Sequence, residues 1–159
     1  MRPVTLCFLV KDNKILLAVK KRSLSGFGVA IGKWNGVGGK VDVGETIEAA
    51  AVREMGEEIG VKTAEQNLEK VGNIKFYFKD KSEWNQHVHI FLVRDWEGEP
   101  KESEEMMPRW YSINEVPFDK MWADDKHWLP AVLAGKKVEG EFNFVNEGAQ
   151  IDGFNIREI

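Results

Sequence analysis

The stretch Gly39-Lys-Val-Asp-Val-Gly-Glu45-Thr-Ile-Glu-Ala-Ala-Ala-Val-Arg53-Glu54-Met-Gly-Glu57-Glu58-Ile-Gly60-Val61 joins a glycine-containing turn to a run of helix-forming residues. Thr46 belongs to the residue types that cap helix N-termini, and good helix formers dominate from Ile47 to Ile59. Gly60 is placed to end the helix. The stretch therefore predicts one helix over residues 47–59.

The predicted helix has two distinct faces. Apolar side chains recur every four residues at Ile47, Ala51, Met55 and Ile59, which indicates a stripe that packs on a sheet. The carboxylates of Glu54, Glu57 and Glu58 fall within about 100° of each other elsewhere on the helix. Like charges this close repel, and a hard divalent cation with oxygen ligands relieves the repulsion.

The acidic face has two interpretations. It is either a solvated surface, balanced by Arg53 and distant lysines, or a magnesium site. Gly38, Gly39 and the Gly44 turn suit a loop that brings backbone close to a ligand or metal, and they favour the magnesium site.

Length and composition limit the possible classes of protein. With 159 residues, 43% of them apolar, the chain fits a single domain over residues 1–159. Its net charge of -4 argues against binding to duplex nucleic acid but allows a small phosphorylated substrate. The single Cys7 lies in an apolar run, so we expect a buried strand thiol. No run of 18 apolar residues occurs. We expect a cytoplasmic monomer without a membrane partner.

Alternating apolar residues predict several strands and a second helix. Turn residues connect some of these strands as hairpins, and either Asp124 or Asp125 is expected to cap the second helix, which should extend to Gly135. Strands on both sides of the first helix predict an α/β fold with a mixed β-sheet. The predicted strands are 3–10, 15–19, 68–78, 86–93, 109–111, 141–145 and 151–156.

The spacing of the opening stretch matches a known motif. Gly39, five residues, Glu45, seven residues and then Arg53-Glu54-apolar-any-Glu-Glu-any-Gly-apolar form the Nudix box, so the chain resembles Nudix hydrolases. The resemblance implies an α/β/α sandwich with a mixed sheet. It also implies hydrolysis of a nucleoside diphosphate linked to another moiety, with Mg²⁺ or Mn²⁺ as cofactor.

The resemblance also implies roles for the residues of the box. Glu54, Glu57 and Glu58 would bind metal with the Gly39 carbonyl, and Arg53 would position the carboxylates through ion pairs. One of the glutamates or a nearby acid would accept a proton from water. Glu102 either reaches the metal from a neighbouring loop or belongs to a solvated acidic turn.

Similarity to one branch of the family extends beyond the box. Residues 20–22, 26–28, 34–41, 102–106 and 117–128 resemble the mammalian MutT-type members, which hydrolyse oxidised purine nucleoside triphosphates such as 8-oxo-dGTP to the monophosphate and pyrophosphate. This similarity implies sanitation of the nucleotide pool against DNA damage. The alternatives are hydrolysis of another nucleotide (a dNTP, a methylated purine nucleotide, a dinucleoside polyphosphate or an ADP-sugar) and a catalytically silent nucleotide-binding module.

Several residues outside the box have side chains suited to a pocket that binds a nucleotide base. Trp122 is expected to sandwich a purine with Phe27, Phe76 or Trp128, unless these rings belong to the core. Asn35 offers a donor and an acceptor to the base edge. Asp124 and Asp125 are either a helix cap or a pair with a raised pKa, in which a protonated carboxyl donates to the base. Further nucleotide contacts are expected at Thr5, Lys20, Gly38 and Lys40.

Some positions depart from the MutT-type pattern. The mammalian members have an aromatic residue where Val37 stands and a methionine where Gln86 stands, and their loop from Gly-Phe-Gly (residues 26–28 here) to Trp-Asn (residues 34–35) is two residues shorter. The preference among oxidised purines is therefore open. His87 and His89 share a strand face, and we expect them to be sheet residues rather than metal ligands.

Overall fold

The computed structural model describes residues 1–21 and 32–159. Its regular elements follow the predicted order, and α1 and two of the strands have the predicted bounds. The strands are β1 Arg2–Lys11, β2 Lys14–Lys20, β3 Trp34–Asn35, β4 Leu68–Phe78, β5 Gln86–Val93, β6 Met106–Ser112, β7 Val138–Val145 and β8 Gln150–Glu158, and the helices are α1 Ile47–Ile59 and α2 Asp125–Leu133.

The strands form one mixed sheet. Its order is β3-β2-β1-β5-β4-β7-β8, and β6 pairs with β2 off this path. The β1–β5 and β4–β7 pairs are parallel, and the other named pairs are antiparallel. The predicted mixed sheet is confirmed.

The two helices cover opposite faces of this sheet. Cys7 and Leu9 of β1 pack in a buried cluster with Met55 of α1, whereas their neighbours Phe8 and Val10 lie in a second cluster with α2. Successive strand side chains point to opposite faces, so this alternation produces the two layers. The predicted α/β/α sandwich is confirmed.

A gap between two neighbouring strands creates the space for the site. β1 and β2 pair only next to their hairpin, after which β1 follows β5 and β2 follows β6. The segment 36–41 lies against the free side of β1, where the amides of Cys7 and Thr5 donate to the carbonyls of Val37 and Gly39 over 2.6 and 2.9 Å. The diglycine is thus held at the opening between the strands.

The ends of the helices agree in part with the sequence predictions. Thr46 caps α1, accepting from the Ala49 amide over 3.1 Å, and Gly60 ends it in the left-handed conformation. Asp124 occupies the N-cap position of α2, but its side chain makes no capping hydrogen bond, and the helix ends at Leu133. The capping prediction was wrong because this carboxylate is engaged elsewhere.

The two strand histidines have partners within the sheet. Nε2 of His87 lies 2.8 Å from Oδ1 of Asn73, and Nδ1 of His89 accepts from Lys70 over 2.8 Å. Their expected place in the sheet is confirmed. In the described parts of the chain, the helices are too short or too polar to cross a membrane.

Candidate active site

A cavity of about 390 Å³ opens where β1 and β2 separate. It brings together backbone from the diglycine segment, one carboxylate of α1 and the acidic start of α2. Chain segments more than 80 residues apart therefore meet at one site. The predicted site residues that line it are Thr5, Lys20, Asn35, Gly38, Gly39, Lys40, Glu58, Phe76, Trp122, Asp124 and Asp125.

Arg53 organises the carboxylates next to the cavity. Its Nε and Nη2 atoms donate to the two oxygens of Glu45 over 2.8 and 2.9 Å, and its Nη1 atom donates to Glu54 over 2.9 Å and to Glu57 over 3.2 Å. These hydrogen bonds, first of all those with Glu45, raise the pKa of Arg53 and lower that of Glu45 to about 2. The guanidinium thus holds three carboxylates in fixed orientations.

Gly38 and Gly39 fit too closely against their neighbours to carry side chains. A Cβ at Gly38 would lie 1.9 Å from the carbonyl oxygen of Thr5, and one at Gly39 would lie 2.6 Å from the carboxylate of Glu54. The Thr5 hydroxyl lies 3.2 Å from the amide nitrogen and 3.3 Å from the carbonyl oxygen of Gly39. Glycine is required here because the loop backbone approaches both a strand and an acidic side chain.

Glu58 is the buried acid of the helix. Burial, followed by the charge of Glu54, raises the pKa of Glu58 to about 9, and Lys20 opposes this rise. Its Oε2 atom is buried and receives no hydrogen bond from the residues that the structure describes. A buried carboxylate oxygen without a donor, facing a second carboxylate, requires either a proton or a cation.

The donor set suits a divalent metal, although the ligand cluster is not preassembled. Across residues 1–21 and 32–159, no three acidic, histidine or cysteine side chains already stand together as a metal site. Arg53 holds Glu54 and Glu57, and Glu58 has an oxygen without a donor. Carboxylate oxygens are the ligands that hard divalent cations prefer, so these residues fit such an ion.

Two adjacent aspartates that line the cavity are buried. Burial raises the pKa of Asp124 to about 6, against the effect of the indole N–H of Trp128, which donates to its Oδ2 over 2.8 Å. Burial and the neighbouring Asp124 raise the pKa of Asp125 well above its usual value. Of the two carboxyls, Asp125 has the stronger tendency to hold a proton, and its Oδ2 atom has no partner among the described residues.

Further polar side chains line the cavity. The Asn35 carboxamide accepts from the Gly36 amide through Oδ1 over 2.8 Å, which leaves its NH₂ group for a ligand. Lys20 lies 3.8 Å from Glu105. Lys40 contributes its carbonyl oxygen to Arg53 over 3.1 Å and also lines the cavity.

The aromatic residues differ in their access to the cavity. Phe76 and Trp122 line it, as predicted for contact with a base. Trp128 is only 1% exposed, packs on Phe8 at 6.1 Å and does not line the cavity. Its predicted role as a stacking ring is wrong, because its ring belongs to the core and only its N–H reaches a cavity residue. Phe27 lies outside the described residues.

Of the two interpretations of Glu102, the structure agrees with the solvated acidic turn. Glu102 does not line the cavity; its carboxylate is 58% exposed and pairs with Lys21 over 2.8 Å. Within the same loop, Glu105 adds a small effect to that of burial and Glu54 in raising the pKa of Glu58. These two acids are three positions apart on an irregular loop, and no sequence periodicity distinguishes them.

Sequence reasoning also missed several residues of the cavity. Trp84 and Glu83 of the loop between β4 and β5 line it, as do Phe78 and Phe144. The alternation along β4 placed Phe78 on one face with Phe76, which was a usable signal. No comparable signal marked Trp84, since it lies on an irregular loop. Gln86 lines the cavity, whereas Val37 is buried on the α1 side.

Fold and site together define a family. The NUDIX domain model matches residues 1–132, which include α1, its carboxylates and most of the cavity residues. The chain belongs to the NUDIX family. Members of this family generally need a divalent metal, in agreement with the donor set of α1.

Relatives with assigned names cover nearly the whole chain. It is 50% identical over 141 residues to an oxidized purine nucleoside triphosphate hydrolase of zebrafish (Danio rerio), covering 89% of this chain and 85% of that protein. It is 42% identical over 158 residues to the mouse (Mus musculus) protein of the same name, covering 99% and 96%.

A solved structure shares the fold. The crystal structure of a mutator MutT protein from Bacillus halodurans matches with a TM-score of 0.81 at 26% identity. The match covers 98% of this chain and 97% of that one. The arrangement of both helices on the mixed sheet is thus shared with a MutT protein.

Proposed function

We propose that this chain hydrolyses oxidised purine nucleoside triphosphates, such as 8-oxo-dGTP, to the monophosphate and pyrophosphate, with Mg²⁺ as the metal. One observation carries the proposal: a single cavity joins the carboxylate helix, through Glu58, to the buried pair Asp124 and Asp125. A nucleotide has the same two ends, a phosphate chain and a base. The names of the zebrafish and mouse relatives support the choice of substrate.

The phosphate end uses the residues of the box. Glu54, Glu57 and Glu58 would hold the metal with the Gly39 carbonyl, and a bound divalent cation would neutralise phosphate oxygens and lower the pKa of an attacking water. Arg53 keeps Glu54 and Glu57 oriented toward that task. Lys20, Lys40, Thr5 and Gly38 line the same part of the cavity, where lysine ammonium groups attract phosphate.

At the base end, buried side chains recognise the edge of the purine through hydrogen bonds, where little water competes. The protonated Asp125 donates to an acceptor on the purine edge, Asp124 accepts from a purine N–H, and the NH₂ group of Asn35 donates to a further acceptor. Oxidation at C8 adds a carbonyl and an N–H to the ring, so it changes the pattern that such a site can distinguish. Trp122 supplies a flat surface for the base.

Turnover of a panel of nucleotides tests the proposal. We expect a higher kcat/KM for 8-oxo-dGTP than for dGTP, with pyrophosphate as product and loss of turnover on chelation of Mg²⁺. Equal kcat/KM values for the two nucleotides would contradict the assigned substrate. Faster hydrolysis of a dinucleoside polyphosphate or ADP-sugar would assign another member of the family, and nucleotide binding without turnover would indicate a silent binding module.

A single variant tests the metal site independently of the choice of substrate. Glu57→Gln keeps the size of the side chain but removes a charged oxygen ligand. We expect its kcat to fall on the order of 10²-fold or more. An unchanged kcat in an active wild-type background would show that Glu57 is not part of the metal site.

The proposal extends to the organisation of the protein. We infer that residues 1–159 act as one catalytic domain and as a cytoplasmic monomer. The continuous sheet from β3 to β8 supports the single domain. Light scattering of the purified chain across a range of concentrations measures its oligomeric state.

A further inference from the structure

Lys33 is a cation of the cavity that lies outside the box and outside the predicted base pocket. It directly precedes β3, is half-buried and lines the cavity. Its ammonium lies over the indole of Trp122, 5.6 Å from the ring centroid. A positive charge is thus present beside the aromatic residue that the proposed base end includes.

Alternation along the chain directs Lys33 and Asn35 to the same side. Both line the cavity, whereas Trp34 between them is 9% exposed and packs edge to face on Tyr111, with ring centroids 5.4 Å apart. Successive side chains of a strand point to opposite faces, and this alternation extends to the residue before β3. The segment therefore presents two hydrogen-bond donors to the cavity, the ammonium of Lys33 and the NH₂ group of Asn35.

The structure also ties Trp122 to the segment that carries Lys33. Met121, which precedes Trp122, forms an isolated parallel bridge with Trp34. On the side of the hairpin between β7 and β8, a Cβ at Gly148 would lie 2.6 Å from the Trp122 ring. The cation–π contact between Lys33 and Trp122 is therefore supported by backbone pairing of the neighbouring residues.

The Lys33 ammonium retains its hydrogen-bond donors for a ligand. In the described parts of the chain, it forms no ion pair with a carboxylate, and it contacts the ring of Trp122. A ring face attracts the positive charge but offers no oxygen acceptor, so a carbonyl oxygen of a ligand gains a charge-assisted hydrogen bond. Partial burial strengthens this bond, because less water competes for the donor.

We propose that Lys33 is a specificity-determining residue of the base end, and that its ammonium donates a hydrogen bond to a carbonyl oxygen of the purine. This inference rests on the proposed function and specifies the class of base that the cavity prefers. An ammonium is only a donor, so it favours bases with carbonyl oxygens, such as guanine and 8-oxoguanine, and gains nothing from the amino group of adenine. The flexible four-carbon side chain lets the ammonium follow the edge of a base that meets the Trp122 indole.

Binding of nucleoside monophosphates measures this preference. Calorimetry would give Kd for 8-oxo-dGMP, dGMP and dAMP with wild type, Lys33→Met and Lys33→Arg. We expect Lys33→Met, which removes the donor, to weaken the two oxopurine nucleotides about 10-fold to 100-fold, as for a hydrogen bond to a charged group. The Kd of dAMP should change less than about 2-fold, because adenine has no carbonyl oxygen to lose a donor. Lys33→Arg should recover most of the lost affinity, and KM for 8-oxo-dGTP should rise in parallel with Kd.

Lys120→Met is the matched control. Lys120 ends the short 3₁₀ turn Phe118–Lys120, two residues before Trp122, is exposed and does not line the cavity. Its substitution removes the same charge from the same region, so every Kd should stay unchanged. An equal weakening of dAMP and of the oxopurine nucleotides in Lys33→Met would overturn the proposal, since Lys33 would then contact the phosphate or only position Trp122.

Failure of this inference can be distinguished from failure of the proposed function. An unchanged Kd for 8-oxo-dGMP in Lys33→Met, with preferential hydrolysis of 8-oxo-dGTP by the wild type, would overturn the role of Lys33 and leave the proposed function intact. If the wild type hydrolyses 8-oxo-dGTP no faster than dGTP, the proposed function fails, and the monophosphate Kd values still decide for or against Lys33.

Discussion

The indole N–H of Trp128 donates to Oδ2 of Asp124 over 2.8 Å, and both residues are at most 4% exposed. This hydrogen bond explains why Asp124 does not cap the helix that begins beside it. It also makes the two aspartates unequal, because Asp124 has a donor and Asp125 has an oxygen without one. Trp128 thereby positions the Asp124 carboxylate, which belongs to the proposed base end, without lining the cavity.

Trp128→Phe keeps most of the ring packing and removes the donor. We expect the pKa of Asp124 to rise above about 6, and we expect the free energy of unfolding to fall by about 1.5–3 kcal/mol, as for a hydrogen bond to a charged group. In a plot of kcat/KM against pH, the limb that reflects titration of the aspartates should move to higher pH. Trp96→Phe, outside the cavity, is the control, and an unmoved limb in Trp128→Phe would contradict the positioning role.

Asp125 should make the stability of the metal-free protein depend on pH. Folding raises the pKa values of Asp124, from 3.8 to about 6, and of Asp125, so the folded state binds more protons. The associated stability is fully present below about pH 4 and is lost as the pH rises through the folded-state pKa values. Asp125→Asn cannot ionise and should lose less stability between pH 4.5 and pH 8. Urea unfolding with a chelator measures this, and parallel losses would refute it.

Substitution by alanine should have different effects at Gly39 and at Gly56, because only Gly39 lies against a carboxylate of the site. A Cβ at Gly39 would lie 2.6 Å from the Glu54 carboxylate, so we expect Gly39→Ala to displace that carboxylate and lower kcat/KM at least about 10-fold. The nearest atom to a Cβ at Gly56 is 3.8 Å away, and this residue lies inside α1. Gly56→Ala should therefore gain about 1 kcal/mol of stability with unchanged turnover. Equal turnover in both variants would contradict the assigned role of Gly39.

Glu58→Gln should separate stability from activity. The amide carries no charge to bury beside Glu54, so the metal-free variant should unfold at a higher temperature than wild type at pH 7. Turnover should fall on the order of 10²-fold or more, and Mg²⁺ should raise the melting temperature of the wild type more than that of the variant. Glu48→Gln on the same helix is the matched control. An equal response of all three proteins to Mg²⁺ would exclude Glu58 from the metal site.

Gly148 should limit the position of Trp122. Its φ of 90° is left-handed, and a Cβ would lie 2.6 Å from the Trp122 ring. Gly148→Ala should lower stability by about 1–2 kcal/mol and raise KM, since the indole has to shift. Gly153→Ala, in the following strand, has open space around the new Cβ and should leave KM unchanged. Steady-state kinetics and thermal melts compare the two, and a KM change shared by both would point to a general effect of the hairpin.

The sequence by itself determined those features that depend on contacts within a few residues or on a regular repeat of side chains. Capping by Thr46, the four-residue stripe of α1 and the left-handed stop at Gly60 follow from contacts within a few residues, so the helix has the predicted bounds. The alternation along β4 and β5 likewise fixed both strands. The family pattern then located the carboxylates and the diglycine beside them.

Only the tertiary structure decided which side chains share the cavity. Glu83 and Trp84 lie on an irregular loop whose direction depends on strand pairing far along the chain, so no sequence periodicity identifies them. Trp128 and Trp122 lie six residues apart around the start of one helix, yet packing buries the first and turns the second to the cavity. Local periodicity determines an element and its faces, whereas the opening between β1 and β2 determines which faces meet a ligand.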